Sequence, residues 1–311
     1  MIKQIVQNRH VGIGTVRLNR GSRLARGLVG WWPFADNSSY GTSRLHDYSG
    51  RRQTANATNW DVGPGYYDMR WEIRDNGAGV TSERRGRASV YFGQGHKFEV
   101  DSVRLRSLRL PMTVSCWCWT VGGANSWNSD GTLVSLYRDD WASPKEGAWK
   151  LFQRHVSGTT SKYTFGTYST AGLSWADSPT FTGGAWNHVV ATMGGTASSP
   201  LMTTTLNGVA GSTLTPSALA TVGTDYNVFI GGGAVPHHGD YQGKWWGGIA
   251  DVRLWDRCLS DPEIRQLYAE TRSGELGSMA DQYRPIPRAA EAVETTAQSA
   301  PIFLATTQAG L

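Results

Sequence analysis

A chain of 311 residues with a formal net charge of +5 is long enough for one large domain with extensions, or for two small domains. Its 38 glycines and 14 tryptophans, with many short runs rich in Thr, Val and Tyr between turn residues, argue against a helical bundle and for an all-β protein. No run approaches the roughly 18 apolar residues a membrane helix needs, and no apolar block follows the basic N-terminus, so neither a span nor a secretory leader is predicted.

Residues 1–26 read as a basic arm: Lys3, Arg9, Arg17, Arg20, Arg23 and Arg26 occur with no acidic residue. Such an arm suits an acidic protein surface better than nucleic acid here, or serves as a solvated leader. The globular domain opens with an apolar strand over 27–34, ended by Pro33 and the Asp36-Asn37-Ser38-Ser39 turn cluster. Residues 51–87 lack periodicity and are predicted to form a long decorated loop. Residues 88–92 and 96–100 are expected to pair as a hairpin around Gly93-Gln94-Gly95.

Residues 112–120 give the clearest central strand, with Met112, Val114, Cys116 and Cys118 on one face. The two cysteines are two apart and point the same way, where a mutual disulfide would be strained, so reduced thiols in a protein assembled inside a cell are expected. Further strands are predicted at 132–137, 149–155, 163–168, 186–193, 202–206 and 228–230, with Asn207-Gly208 as a tight hairpin turn. In 249–255, Ile249, Asp251, Arg253 and Trp255 share one parity and Ala250, Val252 and Leu254 the other. Ser260 then caps a short helix through Tyr268, with Pro262 and carboxylates in its first turn. Residues 271–311, including Arg284 and Arg288, have the composition of an extended arm.

Trp127, Trp141, Trp175, Trp245 and Trp246, with Tyr241, fall in predicted loops or strand edges. Sugars stack their C–H faces on such rings, so these residues are candidates for a shallow glycan site; lids on the core or anchors of a subunit contact fit them equally well. His237-His238 is a poor metal pair, because adjacent side chains on extended backbone diverge. No glycine run here opens a phosphate-binding helix, and no serine sits in a nucleophile elbow.

Four segments together resemble the concanavalin A-like, laminin-G-like jelly-roll domains. They are Gly27-Leu28-Val29-Gly30-Trp31-Trp32-Pro33-Phe34 with Asp47-Tyr48-Ser49-Gly50; Met112-Thr113-Val114-Ser115-Cys116-Trp117; Trp186-Asn187-His188-Val189 leading to Asn207-Gly208; and Gly248-Ile249-Ala250-Asp251-Val252 with the closing helix. The resemblance implies a two-sheet antiparallel jelly-roll sandwich over residues 27–270, a fold that serves as lectin, adhesion module, glycosidase and structural part. Asp47 and Asp251 match the positions where such domains bind calcium; the competing arrangement has Asp47 capping a turn and Asp251 paired with an arginine. Glucanases of this fold carry Glu-x-Asp-x-Glu on one strand. Here Glu99-Val100-Asp101-Ser102-Val103-Arg104 lacks the second glutamate, so no enzyme is expected.

A basic arm, a trailing arm and intracellular synthesis resemble the laminin-G-like proteins of tailed bacteriophages. This implies a non-enzymatic virion structural protein, a capsid decoration or tail or fibre component assembled in the host cytoplasm. Its expected partners are other virion proteins and further copies of itself, held through Arg9, Arg17, Arg20, Arg23, Arg26, Arg284 and Arg288. The alternative is a carbohydrate-binding module that uses the loop tryptophans to hold a surface glycan.

Overall fold

Met112–Thr120 sends Met112, Val114, Cys116 and Cys118 into one apolar cluster and Trp117 into another, so both faces of this strand are covered. That is the condition for a central strand of a sandwich whose outer surface is itself roofed. The computed structural model describes residues 16–34, 44–59, 70–74, 87–92, 96–120, 131–138, 149–157, 160–169, 171–219, 226–232, 245, 247–272 and 280–282.

The strands are β1 (Val16–Leu18), β2 (Leu28–Trp32), β3 (Arg44–Leu45), β4 (Ala55–Asn59), β5 (Arg70–Arg74), β6 (Arg87–Phe92) and β7 (His96–Val100). After a helical turn, α1 (Val103–Arg106), come β8 (Met112–Thr120), β9 (Thr132–Arg138), β10 (Trp149–Ser157), β11 (Thr160–Ser169) and β12 (Gly172–Thr182). The chain continues through β13 (Trp186–Thr196), β14 (Ser199–Leu206), β15 (Val209–Leu214), β16 (Tyr226–Ile230), β17 (Gly247–Trp255), α2 (Asp261–Thr271) and β18 (Ala280–Gln282). The front sheet has eight strands in the order β12-β11-β10-β9-β16-β7-β4-β3. The back sheet runs β15-β14-β13-β8-β17-β6-β5, with β2 also on β17. All described pairings are antiparallel, and the main core, from Phe98, Val134, Leu151 and Phe165 to Val114, Val189, Met202 and Leu254, lies between the sheets.

The expected all-β jelly-roll sandwich is therefore the observed architecture, with four local corrections. Residues 88–92 and 96–100 do not form a hairpin: β6 pairs with β5 and β17 in the back sheet, whereas β7 pairs with β4 and β16 in the front. The expected loop 51–87 contains β4 and β5. The strand β12 is not among the predicted strands; it carries Gly172, Asp177 and Pro179, residue types depleted in strands, and it is the edge of its sheet, where a proline costs no ladder bond. Finally, the alternation along β17 breaks at Asp251, whose φ of 52° marks an irregularity between Ala250 and Arg253. Ile249 thereby joins Val252 and Leu254 in the core, while Ala250 turns outward toward Trp117. The same residue marks the point where β17 exchanges neighbours, from β6 at Gly247 to Ile249 to β2 at Val252 to Trp255.

The back of the β17 sheet is roofed by α2, which starts with the predicted cap: Ser260 and Glu263 form a reciprocal capping box, with Pro262 in the first turn. Ile264 and Leu267 pack on Val190, Trp255, Leu28 and Trp31, while Tyr268 stacks on Trp117 at 5.8 Å. The last part of the expected basic arm joins this roof. Leu24 is fully buried, its carbonyl accepts from Trp255 Nε1 at 2.7 Å, and Arg257 Nε donates to the Arg26 carbonyl at 2.8 Å. Further out, β1 pairs with β18, so a piece of each arm meets the other within one chain. Asn207-Gly208 makes the predicted turn, with φ of 50° and 80°. Cys116, Cys118 and Cys258 are free thiols, and burial pushes the Cys116 thiol up. No helix among the described residues is long and apolar enough to cross a membrane.

Candidate functional site

Strand alternation leaves the front sheet with a face turned away from the core. Across it, Asn56, Glu99, Phe229, Ser135, Lys150, Gly166 and Trp175 stand opposite one another in successive strand pairs. Their neighbours along the strands, among them Phe98, Val228, Leu136, Leu151, Phe165 and Ala176, point into the core. The row is not uniformly open. Phe229 and Ser135 are fully buried, and the Lys97 ammonium lies 3.9 Å over the Phe229 ring. The more open part is the strip on β10, β11 and β12, where Trp175 is exposed and Lys150, Arg154 and Lys162 are half-buried, over buried Phe152, Thr164 and Gly166.

Trp175 is the one aromatic among the exposed large hydrophobic side chains of the described residues, at 42% exposure. Its cross-strand neighbour is Gly166, which puts no side chain beside the ring. The Arg154 guanidinium sits 5.5 Å from the ring centroid and also binds the Asp177 carboxylate. Asp177 Oδ1 accepts from Thr164 Oγ1 at 2.8 Å, and Lys162 Nζ lies 3.4 Å from Oδ2. Two residues from Trp175 along the same strand, Leu173 is also exposed, and Lys150 lies over the Phe152 ring at 4.1 Å.

The platform is held from behind. Ser212 on β15 receives the Asp177 N–H at 3.0 Å and donates to the Asp177 carbonyl at 3.1 Å, and Thr204 Oγ1 donates to the Ala176 carbonyl at 2.8 Å. These bonds tie the edge of the front sheet to β15, the edge of the back sheet, and to its neighbour β14. Gly211 permits the approach, because a Cβ there would lie 2.1 Å from the Asp177 carbonyl oxygen. A flat indole flanked by fixed donors and an acceptor on a braced strand is an arrangement that can stack a sugar ring and orient its hydroxyls.

Of the tryptophans expected to form a glycan site, Trp175 lies on this strip and Trp245 is buried at 1% exposure. Trp127, Trp141, Tyr241 and Trp246 lie outside the described residues, as do Arg9, Arg284 and Arg288. Arg20, Arg23 and Arg26 are exposed, and the Arg17 backbone pairs with Asp281. The residues that surround Trp175, namely Lys150, Arg154, Lys162, Thr164, Gly166 and Asp177, were not singled out. Part of the signal was present: Lys150, Phe152 and Arg154 alternate with Trp149, Leu151 and Gln153 on a predicted strand.

The calcium candidates sit in different surroundings. Asp47 Oδ1 accepts the N–H groups of Trp31 and Ser49 at 2.9 and 2.8 Å, and its Oδ2 accepts Ser49 Oγ and Gln53 N at 2.8 and 3.0 Å. Asp251 accepts Arg253 Nε and Nη2 at 2.8 and 2.7 Å and Trp31 Nε1 at 2.9 Å. These donor sets do not fit a cation: the oxygens that would ligate it already accept N–H and O–H bonds, and a guanidinium occupies the Asp251 side. Among the described residues no group of three or more His, Cys, Asp or Glu side chains is placed to hold a metal.

A family model described as the concanavalin A-like lectin/glucanases superfamily matches residues 92–265, more than half of the chain. The chain belongs to this superfamily. No curated protein sequence matches it. Among solved structures, domain 4 of the extracellular arabinanase AbnA of Geobacillus stearothermophilus, in complex with arabinotriose, is similar at a TM-score of 0.50 and 13% identity, covering 78% of this chain and 98% of that one. Trypanosoma rangeli sialidase, in complex with a difluorinated keto-deoxy-nononic acid, is similar at 0.50 and 17% identity, over 81% of this chain but 33% of its own length. At these identities the likeness concerns the fold. The fold they share is the two-sheet sandwich described above.

Proposed function

We propose that this protein is a non-enzymatic carbohydrate-binding module whose binding surface is the front-sheet strip centred on Trp175. The observation that carries the reading is the exposed indole of Trp175, set beside Gly166 and flanked by Arg154, Lys162 and Asp177 on a braced edge. Hydrolysis would need two carboxyl groups within about 5–10 Å of each other across one glycosidic bond. Glu99 and Asp177, the carboxylates of this face among the described residues, are five strand spacings apart in the sheet order, about 24 Å. Glu99 is moreover held by Asn227 Nδ2 at 2.6 Å, and Asp101 by Arg106 at 2.5 Å. The distance supports binding without cleavage.

The test is a glycan panel against the full chain and a Trp175→Ala variant, with binding measured by titration calorimetry. The variant is expected to lose saccharide binding by tenfold or more while keeping its melting temperature, because an exposed ring contributes little to the core. Unchanged binding in the variant would refute the assignment.

A second reading, a virion structural component anchored through its arms, draws on the pairing of β1 with β18, which brings the two arms together at one point of the molecule. The two readings are separated by deleting residues 1–15 and 283–311. A decoration protein loses particle attachment with its fold intact, whereas a lectin keeps its sugar affinity.

A further inference from the structure

The charge around Trp175 is unbalanced. Asp177 is the carboxylate of this strip among the described residues, and its Oδ2 is shared by Arg154 and Lys162. Two cations against one carboxylate leave about one unit of positive charge, on groups that stay partly open to solvent: the Arg154 and Lys162 side chains are 31% and 29% exposed, Asp177 only 17%. Lys150 stands on the same face, one strand position from Gly166.

Resting on the glycan-binding reading, we propose that the saccharide taken by this strip is acidic, bearing carboxylate or sulfate groups. The indole accepts the apolar face of one sugar ring, and the anionic substituent lies against Lys162 and Arg154. A neutral sugar would leave the excess positive charge of Arg154 and Lys162 without a counter-charge. Asp177 fixes the two cations in place. Its own oxygens already accept from Thr164, Arg154 and Lys162, so it repels the ligand less than a bare carboxylate would.

The experiment uses the full chain and matched pairs of probes that differ in charge: oligogalacturonate and its methyl ester, sialyllactose and lactose, and a heparin-derived hexasaccharide and its desulfated form. Calorimetry is run at 50 and 300 mM NaCl. The expected result is tighter binding of the acidic member, weakened by salt, and weakened about fivefold by Lys162→Gln, the size of one partly exposed charge contact. Trp175→Ala should abolish it. Neutral members binding as tightly as acidic ones, with no salt dependence, would overturn the acidic-sugar inference and leave the glycan site standing. Binding of no probe would overturn both.

Discussion

Asp251 is the residue whose replacement tests the structural reasoning most directly. It is 3% exposed, sits at a φ of 52°, and neutralises Arg253, which is fully buried on the same strand. Arg253 in turn lies 5.0 Å from the Trp31 ring centroid, and Trp31 Nε1 donates to the same carboxylate. Asp251→Asn keeps a side chain that tolerates the left-handed conformation and an oxygen for Trp31, but leaves a buried guanidinium without its counter-charge. Removing one partner of a buried pair costs about 3–5 kcal/mol, and we take the lower end, about 3 kcal/mol, because the amide still accepts hydrogen bonds. At about 2–4 °C per kcal/mol for a domain of this size, the melting temperature should fall by about 6–12 °C.

Asp251→Ala should cost about 1 kcal/mol more, since alanine lacks any local bond to offset the left-handed backbone. The decisive variant is the double replacement Asp251→Asn with Arg253→Met. Taking away both charges removes the desolvation penalty with the attraction, so the double variant should recover to within about 1 kcal/mol of the parent. Urea unfolding followed by tryptophan fluorescence gives all four corners of the cycle. If Asp251→Asn alone costs under 1 kcal/mol, or if the double variant costs the sum of the singles, the pair does not couple and the reasoning fails.

Calcium supplies a related test at the same residue. A site filled to 100 times its dissociation constant would stabilise the fold by about 2.7 kcal/mol, whereas the donor sets of Asp47 and Asp251 predict the same melting temperature in millimolar calcium and in chelator. Arg257 holds the Glu263 carboxyl down to about 2, below its ordinary 4.5. A depressed acid stabilises above its unfolded value and loses that stabilisation as pH falls from about 4.5 toward 2. The wild type should therefore shed about 1 kcal/mol more than Glu263→Gln across that window, solvent screening included, in acid melts. Gly211→Ala forces a methyl against the Asp177 carbonyl and should cost about 1–3 kcal/mol while weakening sugar binding at Trp175, measured by melting and titration; intact binding would show that the β12–β15 brace is dispensable.

The parts of this molecule that could be read from sequence are those governed by one strand's own pattern. Met112–Thr120, Trp186–Thr196, the Asn207-Gly208 turn and the Ser260 cap each announce themselves by local period or turn chemistry, and the structure places them as expected. What escaped depends on the neighbour across the ladder. Nothing in Ala55–Asn59 favours a strand, but it pairs with His96–Val100, and the residue alternation along Gly247–Trp255 is overruled at Asp251, where the strand changes partner. The site follows the same rule. Lys150, Gly166 and Trp175 are far apart in sequence, and only the registers of β10 with β11 and of β11 with β12 place them in one row. Trp175 and Trp245 have the same side chain in loop-like contexts, yet one is open and the other sealed, because one lies on the outward parity of an edge strand. A binding face on a sheet is a property of register, and register is set by pairs of strands together.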